Sequence, residues 1–308
     1  MVDTIKSVGE VGVAREAVSR EAGVTREEGA VVPEAPGVEP GARNPVLRTL
    51  DLLLWMAGET PPWSIRPAAR ALGTSPTSIH RLISVLEGRG LVWRDDEGRY
   101  YPGHELIRMS EAFSRKLSVK QLARPHLEKL AAATGESVLL AQFDLQRPAM
   151  MFVDLIRSTH PITYFTTLYD WKPMHAGASS LVMLAQLSEA ELDRFFDIAT
   201  LTKLTSSTLV TPAAIKQEIK IIAGRGYAIT RGQRTVGAVG MAAPVFDARN
   251  HVVGSLCLTI PDQRFDPSME KELAVVLIRN ADAISDELAQ AGLAGRSGLP
   301  GESRGEVW

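Results

Sequence analysis

The stretch SPTSIHRLISVLEGRGLVWRDDEGRYY, residues 75–101, carries a helix pattern followed by a hairpin pattern. Ser75 suits the N-cap of a helix, and Pro76 suits the first helical position, where its missing N–H costs nothing. Apolar residues then recur at i, i+3, i+4 and i+7 before Gly88 and Gly90 end the helix. The segments LVWR and RYYP have strand character, and DDEG between them supplies turn residues. The stretch therefore predicts a short helix followed directly by a tight hairpin.

Two more helices are predicted before this stretch, with a glycine at position 73 ending the second. Their apolar residues recur with helical spacing, at Val46, Leu47, Leu50, Leu53, Leu54 and Ala57 in the first helix and at Ile65, Ala68, Ala69 and Leu72 in the second. Three short helices with a tight turn between the last two, followed by a hairpin, are the pattern of a winged helix-turn-helix. The alternatives are an ordinary small α/β subdomain and a winged helix that binds protein.

The outer face of the third predicted helix favours DNA binding. An exposed helix usually carries Glu and Lys, whereas this face carries small hydroxyl side chains, one arginine and one histidine. Small side chains let a helix enter the major groove, about 12 Å wide, where hydroxyl and guanidinium groups reach base edges. The hairpin adds arginines for phosphate or the minor groove, although the acids at its tip oppose deep insertion. The candidate DNA-binding residues are Ser75, Thr77, Ser78, His80, Arg81, Ser84, Arg94 and Arg99.

Length and composition indicate the number of domains and exclude several classes of protein. The chain has 308 residues, for which about two domains are expected. Its net charge is −2, but residues 43–104 hold eight arginines, no lysine and six acidic residues, a weak sign of a nucleic-acid face. One cysteine excludes an internal disulfide and a cysteine-rich zinc module. The N-terminus has no apolar signal region, and no apolar run approaches the ~18 residues of a membrane span. A soluble cytoplasmic protein without membrane contact is therefore expected.

The rest of the chain predicts a second, larger unit. Residues 1–42 and 292–308 lack sustained apolar periodicity and are interpreted as a disordered tail and a flexible tail. The winged unit then covers residues 43–104, and a linker helix covers residues 105–118. Over residues 119–291, strand patterns such as SVLLAQFDL and HVVGSLCLTI alternate with helix patterns. One of those helices opens with a capping box at Ser188 and Glu191. This order predicts an α+β unit with one antiparallel sheet.

Five segments in order resemble the IclR family of bacterial transcription regulators: ARALGTSPTSIHRLISVLEGRGLVWRDDEGRYYPG, RPHLEKLAAATGESV, PMHAGAS, GYAITRGQ and GMAAPVFDARNHVVGSLCLTIP. The resemblance covers residues 43–290. It implies an N-terminal winged helix-turn-helix joined by a linker helix to a GAF-like effector-binding domain that takes a small molecule. It also implies a homodimer or a dimer of dimers on a double-stranded operator with inverted half-sites. The effector is expected to be an organic or aromatic acid, and repression is favoured over activation.

The same resemblance implies a set of effector contacts. The family's ligand-contacting positions fall on Lys172, Ala178, Ser179, Pro244, Cys257 and Thr259, and Arg234 lies near one more.

Several of these positions have a second interpretation. His175 could hydrogen-bond the effector or cap the helix that follows it. Lys172 and Arg234 could pair with a carboxylate ligand, or they could be solvated surface cations. Cys257 lies in an apolar strand with no basic neighbour in sequence, which favours a buried or pocket-lining thiol over a reactive thiolate. A nearby aromatic run could line a pocket, or belong to the core or a dimer surface: Tyr164, Phe165, Tyr169 and Trp171.

Catalytic patterns are not evident in the sequence. It contains no G-x-S-x-G, H-E-x-x-H, Walker-type or dinucleotide-binding motif, and the histidines show no metal-ligand spacing. No catalytic residue, metal or cofactor is therefore expected. The GRG at residues 224–226 follows a helix, so it predicts a helix C-cap and not a phosphate loop. An enzyme built on a GAF-like domain and a winged-helix module for protein interaction remain the alternative functions.

Overall fold

The computed structural model describes residues 44–116, 119–164 and 166–292, of which 114–116 are described by their backbone alone. The predicted tails, residues 1–42 and 292–308, lie outside the described residues except for Gly292. Three helices come first: α1 (Pro45–Gly58), α2 (Ile65–Ala71) and α3 (Pro76–Gly88). Strands β1 (Val92–Arg94) and β2 (Tyr100–Pro102) then form an antiparallel hairpin. The predicted three helices and hairpin are confirmed.

Local chemistry accounts for the way α3 and the hairpin meet. The Ser75 hydroxyl accepts a hydrogen bond of 3.2 Å from the backbone N–H of Ser78, which caps α3 as expected. Gly103 lets the end of the hairpin approach the turn after α3, because a Cβ there would lie 2.1 Å from the Gly90 carbonyl oxygen. A small core then closes beneath the hairpin: Leu52, Met56, Trp63, Ala68, Ala69, Ile79, Ile83, Leu86, Val92 and Tyr100.

The apolar face of α1 differs from the one that its spacing suggests. Leu52 and Met56 are buried, whereas Val46, Leu50 and Leu54 are 65%, 51% and 64% exposed. These three residues are four apart, so they form one stripe along the helix. Helix α4 (His104–Lys116) follows the hairpin, where a linker helix is predicted. It too has exposed apolar residues: Ile107, Met109 and Phe113.

The larger unit is built on one antiparallel sheet of six strands, as predicted. Its helices are α5 (Val119–Thr134), α6 (Ala178–Leu184), α7 (Glu189–Ile198), α8 (Pro212–Arg225) and α9 (Glu270–Gln290). Its strands are β3 (Ser137–Asp144), β4 (Ala149–Ile156), β5 (Lys172–Pro173), β6 (Ala228–Arg231), β7 (Ala238–Phe246) and β8 (Val252–Pro261). The order across the sheet is β5-β4-β3-β8-β7-β6. The short strands β5 and β6 are not predicted by the sequence patterns.

Each face of the sheet carries its own core. Residues of α5 and α9 pack with alternate residues of β7 and β8, such as Met241 and Leu258. Residues of α6, α7 and α8 pack on the opposite face, where β3 contributes Leu139 and β8 contributes Cys257. This alternation follows from the period of two in a strand. Among the described residues, none of the helices could span a membrane.

The predicted caps are confirmed with one exception. The capping box of Ser188 and Glu191 opens α7, and Gly226 ends α8 with φ 80°. The interpretation of His175 as the cap of the next helix is wrong. Gly177 occupies the N-cap position of α6, and the His175 ring is instead hydrogen-bonded to the Thr202 carbonyl oxygen at 2.8 Å.

Candidate functional site

The outer face of α3 presents three polar side chains to solvent. Thr77, His80 and Arg81 are all exposed on its first two turns. Ser84 is also exposed, but its hydroxyl donates to the His80 carbonyl oxygen at 2.9 Å. The other two predicted residues form the cap: the hydroxyls of Ser75 and Ser78 lie 2.9 Å apart. The residues available for an outside partner are therefore a hydroxyl, an imidazole and a guanidinium.

The two predicted arginines of the hairpin have different surroundings. Arg99 Nε donates to Asp95 Oδ2 at 2.7 Å, and its Nη1 lies 2.9 Å from Glu97 Oε2. Burial raises the pKa of Asp95, but hydrogen bonds from Arg99 outweigh this and hold the pKa below its ordinary value. Arg94 is exposed, and its guanidinium carbon lies 5.7 Å from the centre of the Tyr100 ring. Arg94 therefore offers its charge outward, while the charge of Arg99 is balanced within the turn.

Two further arginines belong to this surface and were missed by sequence reasoning. Arg66 and Arg70 are exposed and one turn apart on α2. They line a shallow groove with Thr74 and Pro76, beside the start of α3. Their i, i+4 spacing just before the turn is a signal that the sequence does contain.

A pocket opens on the α6 face of the sheet. The empty space within its walls and open mouth, which includes open solvent, is about 670 Å³. Strands β3, β4, β6, β7 and β8 supply its floor, and the start of α6 and two loops supply its rim. The lining residues are Ser137, Leu139, Phe152, Leu155, Tyr164, Thr166, Gly177, Ala178, Ser179, Thr230, Gln233, Arg234, Thr235, Ala238, Gly240, Cys257 and Thr259.

Hydroxyl groups and one cation dominate the polar chemistry of this lining. Six of the lining residues are serine or threonine, Tyr164 adds a phenol, and Arg234 is the one charged side chain among these described residues. Leu139, Phe152 and Leu155 supply apolar wall. The pocket therefore combines a flat apolar surface with hydroxyl donors and a positive charge.

Arg234 holds the rim of the pocket together. Its Nη2 lies 2.8 Å from the Pro173 carbonyl oxygen, 2.6 Å from the Ala176 carbonyl oxygen and 3.0 Å from Ser180 Oγ. Gly177, with φ 82°, makes room for it, because a Cβ there would lie 3.3 Å from Arg234 Nε. The arginine thus ties the β6–β7 loop to the segment that enters α6, and it is not a solvated surface cation.

Cys257 lies in β8, in the part of the pocket wall that faces α6. Burial raises the pKa of its thiol, which disfavours the thiolate. The thiol donates to the Leu258 carbonyl oxygen at 3.3 Å. Its position agrees with the expected buried or pocket-lining cysteine.

The structure brings together five of the eight predicted effector contacts: Ala178, Ser179, Arg234, Cys257 and Thr259. The other three lie outside this lining. Lys172 is in β5 with its ammonium 3.0 Å from Asp170 Oδ2, and Pro244 is in β7. His175 is 1% exposed, and burial lowers its pKa.

Sequence reasoning also missed lining residues such as Thr166, Thr230 and Gln233. Two of them lie in loops, where no periodicity signals which way a side chain points. Of the aromatic run, Tyr164 lines the pocket, and Phe165 lies outside the described residues. Within the described residues, no cluster of three or more His, Cys, Asp or Glu could hold a metal ion.

Comparison with known proteins covers both units. The family model described as "Bacterial transcriptional regulator IclR C-terminal" matches residues 112–286, and the "IclR helix-turn-helix domain" matches residues 45–96. The "Transcriptional repressor IclR" of Escherichia coli K12 is 24% identical over 254 residues, which are 82% of this chain and 92% of that protein. The regulator BhcR of Paracoccus denitrificans is 27% identical, over 80% of this chain and 87% of that protein.

Solved structures share the fold. A Microbacterium hydrocarbonoxydans IclR homologue complexed with 4-hydroxybenzoate superposes with a TM-score of 0.71. It is 19% identical and covers 80% of this chain and 100% of that chain. The Thermotoga maritima IclR structure gives a TM-score of 0.64 at 25% identity, over 79% of this chain and 98% of that chain.

Proposed function

The chain belongs to the IclR family of bacterial transcription regulators, and from this premise we propose that its operator affinity is set by a small organic or aromatic acid in the sheet pocket. The observation that best supports DNA binding is the exposed polar face of α3. Thr77, His80 and Arg81 stand on its first two turns, where a recognition helix contacts base edges. The proteins named above are transcription regulators, and no enzyme family is indicated.

The arginines around α3 divide into two roles in this proposal. Arg81 lies six residues after the N-cap Ser75 and contacts a base, with guanine the usual partner of arginine. Arg66, Arg70 and Arg94 lie at the edges of the same surface and contact phosphates, which position the protein without reading sequence.

The chemistry of the pocket supports an acid as the effector. A carboxylate is favoured by the positive charge of Arg234 and by hydroxyl donors such as Ser179 and Thr259. An aromatic or aliphatic body fits the wall made by Leu139 and Phe152. The 4-hydroxybenzoate bound by the Microbacterium homologue has both parts.

A second copy of the chain accounts for the exposed stripe of α1. Val46, Leu50 and Leu54 are each more than half exposed on one helix face, and contiguous exposed apolar surface is typical of interaction sites. A two-fold dimer places two recognition helices on inverted half-sites of double-stranded DNA. We also propose repression, by analogy with the Escherichia coli repressor, and a cytoplasmic location.

The experiment compares two arginine variants on two kinds of DNA. An operator is first selected from a random duplex library with the full chain. Arg81→Ala should then weaken binding to that operator by about 1–3 kcal/mol and relax preference at one base position. Arg89→Ala is the matched control, because it removes the same charge at the exposed C-terminal end of α3.

Binding to random duplex separates the outcomes. Arg81→Ala should weaken that binding only slightly, as Arg89→Ala does. An equal loss on operator and random DNA would make Arg81 a phosphate contact, and the base-reading role would be rejected. Failure of the full chain to enrich any sequence would reject DNA recognition and favour the protein-interaction alternative.

A further inference from the structure

Tyr169 connects the wall of the pocket to the first turn of α5. Phe152 lines the pocket from β4, and its carbonyl oxygen accepts a 2.8 Å hydrogen bond from the backbone N–H of Tyr169. Three residues earlier, Thr166 lines the pocket as well. The Tyr169 hydroxyl accepts a 2.8 Å hydrogen bond from the ammonium of Lys120, the second residue of α5. Two hydrogen bonds through Tyr169 therefore link the pocket wall at Phe152 to helix α5, which lies outside the pocket.

The backbone of Tyr169 has an unusual conformation at this connection. Its φ is 60°, in the left-handed region that bulky side chains avoid. Such a conformation persists only where surrounding contacts impose it. The side chain is 56% exposed, so burial does not impose it. The backbone bond to Phe152 and the hydroxyl contact with Lys120 are two contacts that hold Tyr169, and the Lys120 ammonium also lies 5.4 Å from the centre of the ring.

A second contact shows how α5 is held one turn further on. Arg124 Nη1 donates to Asp154 Oδ1 at 2.9 Å, and Asp154 is 3% exposed in β4. This contact goes directly to the sheet. The contact of Lys120 instead goes to Tyr169, three residues after Thr166, which lines the pocket. A rearrangement of this loop would therefore alter the contact of Tyr169 with Lys120 at the start of α5, while the bond from Arg124 to Asp154 keeps the helix attached to the sheet.

We propose that the contact between Tyr169 and Lys120 transmits occupancy of the pocket to α5, and so to α4, which ends three residues before α5 begins. The inference rests on the proposed function, since it concerns regulation at the same pocket. A ligand that packs on Phe152 or Thr166 displaces Tyr169. Two arrangements with unequal ligand affinity are what allosteric control requires.

The test uses a side chain as a permanent occupant of the pocket. Cys257 lines the pocket and is the one cysteine of the chain, and Cys257→Met places a longer apolar side chain there. The operator Kd of the full chain is measured for the parent, Cys257→Met, Tyr169→Phe and the double variant. Tyr169→Phe removes the hydroxyl and keeps the ring. Cys257→Met should change the operator Kd at least about fivefold, as allosteric couplings do. Tyr169→Phe should bring that factor back toward one by about twofold or more, the equivalent of losing one hydrogen bond.

Lysine variants provide the matched controls. Lys120→Met should reproduce the effect of Tyr169→Phe, and combining the two should add little, because both remove one contact. Lys129→Met removes an exposed lysine of the same helix and should leave the response to Cys257→Met unchanged.

The outcomes separate this inference from the proposed function. An operator Kd that does not respond to Cys257→Met would reject both. A response that Tyr169→Phe leaves intact would reject the Tyr169–Lys120 connection and retain the pocket as the regulatory site. Hydrogen exchange of Tyr169→Phe alone gives a second reading that needs no pocket variant. The amides of residues 120–124 should exchange faster than in the parent, and unchanged rates would overturn the inference.

Discussion

Replacing Arg234 with methionine should destabilise the unit formed by α5 to α9 by about 3 kcal/mol. The guanidinium Nη2 makes contacts of 2.8, 2.6 and 3.0 Å with Pro173 O, Ala176 O and Ser180 Oγ. One NH2 group donates two hydrogen bonds, and bonds to charged groups contribute about 1.5–3 kcal/mol each. Methionine keeps most of the packing of the stem, so the loss is expected near about 3 kcal/mol, the lower end for two such bonds.

Thermal unfolding measures this loss. For a unit of this size, 1 kcal/mol lowers Tm by about 2–4 °C, so Arg234→Met should lower it by about 6–12 °C. Arg231→Met is the matched control, three residues earlier. Arg231 is exposed and makes an ion pair of 3.0 Å with Asp262, and a surface pair of this kind is worth about 1 kcal/mol or less.

The difference between the two variants is the decisive quantity. Arg231→Met should melt within about 4 °C of the parent. Equal Tm values for the two variants would refute the reasoning, since they would mean that the carbonyl oxygens around Ala176 find other donors when Arg234 is removed.

Three further predictions concern the hairpin, a buried histidine and a close backbone approach. Arg94→Ala should reduce the salt slope of DNA binding by about one unit. Arg99→Ala should reduce it less because its charge is balanced by neighbouring acids, and equal slopes would contradict this. Because burial lowers the pKa of His175, the unfolded chain binds a proton first as the pH falls below about 6.5, and stability is lost there. His175→Gln should flatten the dependence of Tm on pH between about pH 7.5 and 5.5, and an unchanged slope would contradict it. Gly103→Ala should abolish cooperative unfolding of the winged unit, because the new Cβ meets Gly90 O at 2.1 Å; circular dichroism would show whether it folds.

The elements predicted well are those with local signals. The cap at Ser75 and the glycine after α8 are each encoded within a few residues. Strands β5 and β6 have two and four residues, too few for an alternating pattern to appear. Their pairing is decided by neighbours distant in sequence.

Helical periodicity alone does not determine which side of α1 is buried. Apolar residues occur on most sides of this helix, so the spacing of Val46, Leu50 and Leu54 is as helical as that of Leu52 and Met56. Contacts with α2 and α3 bury the second set. The first set stays exposed, and the helical period alone does not say which of the two sets is buried.

The two candidate sites differed in how much the sequence could reveal about them, and the reason is geometric. The candidate DNA-binding residues Thr77, His80 and Arg81 come from two turns of one helix, so the helical period of 3.6 residues is enough to place them on one side of it. The pocket draws on five strands, one helix and two loops, and no local period relates Ser137 to Thr259 across the sheet. Resemblance to a family could supply five of its residues because it carries tertiary information that periodicity lacks. The contact of Tyr169 with Lys120 lies further still from any local signal, since it joins a loop to a helix 49 positions away. The regulation that we propose for the pocket can therefore be tested from three-dimensional contacts, which the sequence pattern does not contain.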